Sequence, residues 1–267
     1  MLHETFDLLA LGASTVAVLM FVLWLIHLRT GNAAIVDAGW AGGLSLLAAI
    51  YAAAGPGDRV RSGLVAVMAA AWGLRLALYV LVTRVIGQPE EGRYVELRRT
   101  WRTHLPLKFL GFFEFQALVA VILSVPFLLP ALNPAPGLQP VEYAGGAIWL
   151  IGFLGEVLAD AQLHRFKANP AHRGRTCRVG LWRWSRHPNY FFEWVIWIGF
   201  AVFALGSPWG AAGLLSPALI LYFLLRVTGI PATEAQALRS RGDEYRQYQR
   251  TTSPFIPWFP RRLKEGA

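Results

Sequence analysis

Three groups of residues in this chain have the types and spacing to do chemistry. The densest runs from Gly180 to Glu193 and holds Trp182, Arg183, Trp184, Ser185, Arg186, His187, Pro188, Asn189 and Tyr190. Arg183 and Arg186 are donors of the kind that hold phosphate, and Trp182 and Trp184 offer stacking faces. Pro188 suits the first turn of a helix. Asn189 and Glu193 stand four apart and so share one helix face. The second group is a lone carboxyl, Asp37, in an otherwise apolar stretch. An acid at membrane depth is rare and marks a functional site by default. Burial favours its neutral form, which can donate to a carbonyl and stabilise a developing enolate. The third is Glu156 and Asp160, one helical turn apart and followed by Lys167.

The elements that must position these residues are apolar. The 267-residue chain is 55% hydrophobic and 15% charged, where a soluble domain carries about a quarter charged residues. Runs near the length of about twenty residues that crosses a bilayer are expected at 5–28, 33–54, 60–83, 109–131, 139–163, 188–206 and 210–230. The fold class expected is therefore all-α, a polytopic membrane bundle of about seven transmembrane helices in a single domain, 1–267. Gly145, Gly146, Gly152 and Gly155 suit close helix packing in the fifth span, as do the Gly and Ala residues of the second. Rich and poor loops in Lys and Arg alternate. The basic segments, 84–108, 164–187 and 231–267, then lie in the cytoplasm with the C-terminus, and the N-terminus lies outside. A bacterial inner membrane is the expected location. The first basic segment should hold a short amphipathic helix, Tyr94 to Trp101. The second is Gly- and Arg-rich and irregular. The third should open on a helix capped by Thr233, an amphipathic C-terminal element, and end in the Pro-rich 253–260 stretch.

Plainer readings stand beside each of these. The Gly180–Glu193 run can anchor the chain at the interface and cap a helix. Asp37 can pair with Arg75 or cap the second helix, and Glu156 and Asp160 can pair with Arg84 or His164. The loop arginines can do no more than set topology, although that leaves Asp160, Asn189 and Glu193 unexplained. Cys177 is the only cysteine, so no internal disulfide or Cys-rich metal site is expected. The histidines show no ligand spacing. With a net charge of +9 but no basic helix interleaved with aromatics, nucleic acid is not an expected partner. The N-terminal apolar run lacks a basic n-region and is too long for a cleaved signal peptide.

The run Ser185-Arg186-His187-Pro188-Asn189-Tyr190 with Glu193 resembles the C-terminal signature of membrane steroid 5α-reductases and sterol C14 reductases. Isoprenylcysteine carboxyl methyltransferases have a related run. Glu156 and Asp160 followed by Lys167 resemble the reductases' Asn-x-x-x-Asp and basic residue, with Glu156 in place of Asn. Arg75 and Arg84 match two arginines of the third span. Glu234, then Gly242 to Tyr248, then Phe255-Ile256-Pro257, is similar to their C-terminus. The likeness covers most of the chain, with the signature over about 140–260, and extends to bacterial steroid-reductase-like proteins assigned to domains of unknown function.

What the resemblance implies is NADPH-dependent reduction of the C=C bond of a hydrophobic enone, such as a 3-oxo-4-ene steroid. Hydride goes to the β carbon while an intramembrane acid polarises the carbonyl. Asp37 falls near the family's second-span Glu. The family's tyrosine position holds Trp72, which leaves Tyr79, two turns further on, as the candidate partner. The cofactor residues implied are Arg84, Arg93, Tyr94 and Arg98 from one basic loop, Glu156, Asp160, Lys167, Arg178, Trp184, Arg186, His187, Asn189 and Glu193 from the next part of the chain, and Glu234, Tyr245 and Tyr248 from the tail. Tyr245 and Tyr248 can close over the adenine or pack against the membrane face. No G-x-G-x-x-G lies between a strand and a helix, so a helical rather than a Rossmann cofactor site is expected. The partners expected are a steroid-like hydrophobic substrate and membrane lipid. Oligomeric state is left open, with a monomer as the expectation. The alternative activity is an S-adenosylmethionine-dependent methyltransferase of the isoprenylcysteine carboxyl methyltransferase type.

Overall fold

A computed structural model describes residues 2–261. Arg262 and Lys264 of the basic 231–267 segment lie outside the described residues. Helix accounts for 79% of the structure and no strand forms among the described residues, so every apolar face is buried helix against helix or left to lipid. The helices are α1 (Leu2–Thr30), α2 (Ile35–Ala54), α3 (Arg59–Val80), α4 (Gly92–Trp101), α5 (Leu105–Leu123), α6 (Val125–Leu132), α7 (Pro140–Ala168), α8 (Pro188–Ala204), α9 (Leu215–Tyr222), α10 (Ile230–Arg241) and α11 (Asp243–Thr251). π turns extend α3 over Leu81–Val85 and α9 over Phe223–Val227.

Among the described residues six segments are long and apolar enough to cross a membrane: His3–Thr30, Ile35–Ala54, Arg59–Val85, Leu105–Leu123, Pro140–Ala168 and Gly210–Arg241. The protein is a polytopic helical membrane protein, with one fewer such segment than the seven expected. The difference is the span expected at 188–206. That run still forms a helix, α8, of 17 residues, about 26 Å at 1.5 Å per residue, at the short end of the lengths that cross a bilayer. The run expected at 109–131 is also divided. Pro126 and Pro130 supply no N–H to the ladder, and the helix breaks at Ser124 into α5 and α6. Ser124 Oγ bonds the Val121 carbonyl at 2.7 Å and the Tyr51 hydroxyl at 3.2 Å. In the tail the helix starts at Ile230 after Gly229, not at a Thr233 cap, because Pro231 already fits its first turn.

The chain divides into two compact units. Unit 1 runs from the N-terminus to Tyr143 and includes Phe200–Ser216; unit 2 is Ala144–Gly199 with the chain from Pro217 onward. In unit 1, α2 is the most buried span and lies against α1, α3, α5 and α6. A Cβ on Gly73 of α3 would stand 2.5 Å from the Ala41 carbonyl oxygen of α2, so the two backbones approach as only glycine permits. Ser45 Oγ bridges them, donating to Ala41 O (3.2 Å) or Ala69 O (3.1 Å). In unit 2 the expected role of Gly152 and Gly155 is met. A Cβ on Gly152 would sit 2.7 Å from the Ile196 nitrogen, and one on Gly155 would enter the Phe192 ring. Gly146 faces open space.

One end of unit 1 is tied by a fully buried ion pair. Asp58 caps α3 by accepting from the Arg61 nitrogen at 2.9 Å. Arg61 Nε donates to Glu142 Oε1 at 2.5 Å with both side chains 0% exposed. Its remaining donors reach the carbonyls of Asn133 (3.2 Å), Ala135 (2.6 Å) and Gly137 (2.5 Å). Glu142 Oε2 accepts from the Gln139 nitrogen at 2.6 Å. The guanidinium thus fastens the 133–137 loop to the starts of α3 and α7. Removing one partner of such a pair strands a buried charge. Arg61→Ala should cost about 3–5 kcal/mol of stability, read as a large fall in thermal midpoint in detergent. A loss under about 1 kcal/mol would show that the pair is not a structural tie.

Candidate functional site

In unit 1 the polar residues gather where the turn between α1 and α2 meets the 86–98 segment. Asn32 organises that turn. Its Oδ1 accepts from Ala34 N at 3.0 Å, and its Nδ2 donates to Arg84 O at 3.1 Å. Glu90 then caps the entry to α2, accepting from Ala33 N at 2.8 Å. Arg98 of α4 grips both oxygens of Glu90, Nε at 2.7 Å and Nη2 at 3.0 Å. The same Nη2 lies 2.8 Å from His27 Nε2. Arginine only donates, so His27 Nε2 carries the lone pair. Arg98 also covers the Phe109 ring, 4.6 Å from its centroid. These bonds strap α4 down and bring Arg93 and Tyr94 to Asp37.

Asp37, in the first turn of α2, accepts from the Tyr94 hydroxyl at 2.8 Å on Oδ1 and pairs through Oδ2 with Arg93. The cation is Arg93, not the Arg75 considered from sequence, and the hydroxyl is that of Tyr94, not of Tyr79. The phenol is 1% exposed. Burial first, and the Asp37 charge second, hold it well above the usual tyrosine range, so it keeps its proton. Arg93 lies 4.7 Å from the Tyr94 centroid and 3.5 Å from Glu91 Oε1. Glu91 Oε2 takes Arg84 at 3.3 Å. Three carboxylates (Asp37, Glu90, Glu91) thus meet three guanidiniums (Arg84, Arg93, Arg98). The sequence reading assigned those arginines to a cofactor and overlooked Glu90 and Glu91. The signal was present in the alternation of acids and arginines over 90–98. Trp72, which stands at the resemblance's tyrosine position, is fully buried and meets Trp40 edge-on at 6.0 Å.

Unit 2 holds a second hub, centred on Glu234 of α10. Its Oε1 accepts from Arg186 Nε (2.6 Å), His187 Nε2 (3.2 Å) and Tyr245 Oη (3.4 Å), and its Oε2 from Gln249 Nε2 (2.7 Å). Arg186 Nη1 donates to the carbonyls of Gln249 (2.9 Å) and Thr252 (2.6 Å). Tyr248 donates to Ser185 O at 3.1 Å and reaches Trp182 O. Ser185 pairs with Ser253 in a parallel bridge, and its hydroxyl donates to Phe255 O at 2.7 Å. Trp184 O accepts from Trp258 N at 2.9 Å. Five residues predicted for the cofactor, Arg186, His187, Glu234, Tyr245 and Tyr248, are therefore together. They form a closed, buried lock between the 182–187 segment and the tail. Tyr245 and Tyr248 pack on Ala237 in this core.

The other predicted residues of unit 2 lie outside this lock. Glu156 and Asp160 are buried one turn apart on α7. Between them and the next turn, Ala159 O accepts from Trp182 Nε1 at 2.9 Å. Asn189 and Glu193 stand one turn apart, half-buried, on α8. Lys167 is exposed in the last turn of α7. Arg178 donates to Glu244 O at 2.7 Å and lies 5.3 Å from the Tyr248 centroid. Thr176 binds Glu244 twice, through its nitrogen at 3.0 Å and Oγ1 at 2.8 Å. Burial would raise the Glu244 carboxyl, but these bonds and the Arg178 charge outweigh it and hold it below the usual range.

The fold and these polar clusters define the class: an all-helical polytopic membrane protein with paired charges at the ends of its spans. A family model described as Protein of unknown function (DUF1295) matches residues 23–252, and the chain belongs to that family. No curated protein and no solved structure matches it.

The lock should respond to pH through His187. Burial lowers its pKa below 6.5, partly offset by the bond to Glu234. The folded form therefore binds the proton more weakly than the unfolded form. Stability is fully present above pH 6.5 and is lost as pH falls through the lowered folded value. Unfolding midpoints should drop between pH 7.5 and 5.5, and His187→Gln should flatten that drop. An equal drop in the variant would remove His187 as its source.

Proposed function

We propose that this protein reduces the C=C bond of a hydrophobic enone with NADPH, as its likeness to membrane steroid 5α-reductases implies. The observation carrying the proposal is the bond from the Tyr94 hydroxyl to Asp37 beside Arg93. A buried phenol that keeps its proton, backed by a carboxyl, is a proton donor of the kind a developing enolate requires. It also answers the loss of the family tyrosine at Trp72, since Tyr94 supplies a phenol to Asp37 from a different segment.

The residues fit the cofactor by the chemistry of their donors. The stretch 161–179 contains His164, Arg165, Lys167, Arg173, Arg175 and Arg178 and no carboxylate. A diphosphate with a 2′-phosphate needs several such cations. Arg173 and Arg175 are exposed, whereas Arg186 is committed to Glu234. When bound, the reduced nicotinamide supplies hydride to the carbon β to the carbonyl. The chain's own part would be to hold the carbonyl oxygen at Tyr94 and pass it the phenolic proton, which water then replaces, with the Asp37 carboxylate orienting the hydroxyl. Saturating one C=C bond takes one hydride and one proton, and the proton is the share of this pair. A methyltransferase transferring a methyl group to a lipidic carboxylate has no use for a protonated phenol, so the pair favours the reductase.

Purified protein given NADPH and a 3-oxo-4-ene steroid as probe should consume NADPH absorbance. Tyr94→Phe and Asp37→Asn should each lower turnover roughly 10²–10⁴-fold while NADPH still raises the thermal midpoint. Turnover within a few-fold of wild type in Tyr94→Phe would exclude this donor. Stabilisation by S-adenosylmethionine but not by NADPH would replace the reductase with the methyltransferase.

A further inference from the structure

Unit 2 contains a cavity of about 450 Å³ that none of the foregoing uses. Its walls come from the end of α11 and the 251–261 tail, with Arg186 at one side. Three arginines, Arg186, Arg250 and Arg261, line it, and no carboxylate does. Glu234 pairs with Arg186, and among the described residues no carboxylate pairs with Arg250 or Arg261, so both stand as positive charge on the cavity wall. The rim is apolar and uncovered: Ile256, Trp258 and Phe259 are 56%, 68% and 71% exposed. They are held in place rather than trailing. Trp258 N bonds Trp184 O at 2.9 Å, Arg261 N bonds Thr251 O at 2.8 Å, and the Phe259 ring meets Trp184 edge-on at 5.2 Å.

Cations within a cavity and large apolar side chains at its mouth make up the recognition chemistry of a phosphate ester joined to an apolar body. Guanidiniums hold the phosphate oxygens, and tryptophan beside arginine is the composition of a membrane interface. We propose that this cavity binds a phosphate-ester anion, with Arg250 and Arg261 as its principal ligands and Ile256, Trp258 and Phe259 against the attached apolar group. An anionic phospholipid headgroup meets both halves of that description, and a soluble phosphate compound meets the first. The site stands independently of the reductase reading.

The test uses the full chain in nanodiscs of phosphatidylcholine. Replacing a fraction of that lipid with phosphatidylglycerol should raise the thermal midpoint by about 3–5 °C, and native mass spectrometry should show phosphatidylglycerol retained. Arg250→Gln/Arg261→Gln should abolish both effects while matching the wild-type midpoint in phosphatidylcholine alone. Arg250→Lys/Arg261→Lys, which keeps the charge, should retain part of each and covers the case in which the glutamine variant does not fold. A separate titration with inorganic pyrophosphate reads the soluble source. If pyrophosphate stabilises the protein in phosphatidylcholine and the glutamine variant loses that response, the site stands with a soluble ligand. No response to either anion, or responses that persist in the glutamine variant, would overturn it.

Discussion

A charge at the edge of an apolar helix must find a partner, and that requirement shapes the polar structure of this protein. Water is scarce there, so an unpaired carboxylate or guanidinium costs several kcal/mol, whereas a paired and hydrogen-bonded one is tolerated. Arg61 shows the structural outcome. It is fully buried and spends its donors on Glu142 and three carbonyls, which leaves nothing to offer a ligand. Asp37 shows a different outcome of the same rule. It has a cation in Arg93, yet it also accepts a hydrogen bond from the Tyr94 hydroxyl, so a protonated polar group is held beside the charge.

The same contrast separates the arginines of unit 2. Arg186 lies in the motif that first drew attention, but its bonds run to Glu234, Gln249 and Thr252. Its work is to hold the 182–187 segment to the tail, with Ser185 and Tyr248 doing the same through backbone carbonyls. The chain from His164 to Val179 has six basic residues besides His172 and no acid, and only Arg178 and Thr176 of that stretch are fastened to Glu244 or its backbone. Arg173 and Arg175 of this loop are exposed, whereas Arg186 of the most recognisable run is bonded on all sides. Spacing alone places both sets near phosphate chemistry; only the bonds distinguish them.

Much of the fold was legible in the sequence because it depends on local quantities. Apolar length gave five of the spans nearly as they stand, and the α4 helix followed from composition, as did the irregular loop, although α7 continues to Ala168 and the loop begins only after it. The 188–206 run forms a helix of 17 residues, at the short end of spanning length. The undivided 109–131 span failed for a physical reason that a hydropathy window averages away: Pro126 interrupts it. Of the polar residues, the membership of the clusters was legible and the partners were not. Asp37, Arg93 and Tyr94 were all singled out, but the acid was given Tyr79 because helical periodicity relates residues on one helix. Tyr94 reaches Asp37 through a tertiary strap, built by Asn32, Glu90 and Arg98, that no periodicity encodes.

That strap has a consequence for how the acid group is built. Tyr94 lies in a short helix outside the spans, in a segment with few apolar side chains, and would have little reason to stay at Asp37 by hydrophobic burial alone. Glu90 resolves this by serving two elements at once, capping the start of α2 through Ala33 N and receiving the Arg98 fork from α4. One carboxylate thereby ties the helix that carries the acid to the helix that carries the phenol. Bidentate arginine–carboxylate pairing has directional geometry that apolar contact lacks. A donor pair assembled from residues 57 positions apart in sequence can then keep a hydrogen-bonding distance without either residue belonging to a rigid common element.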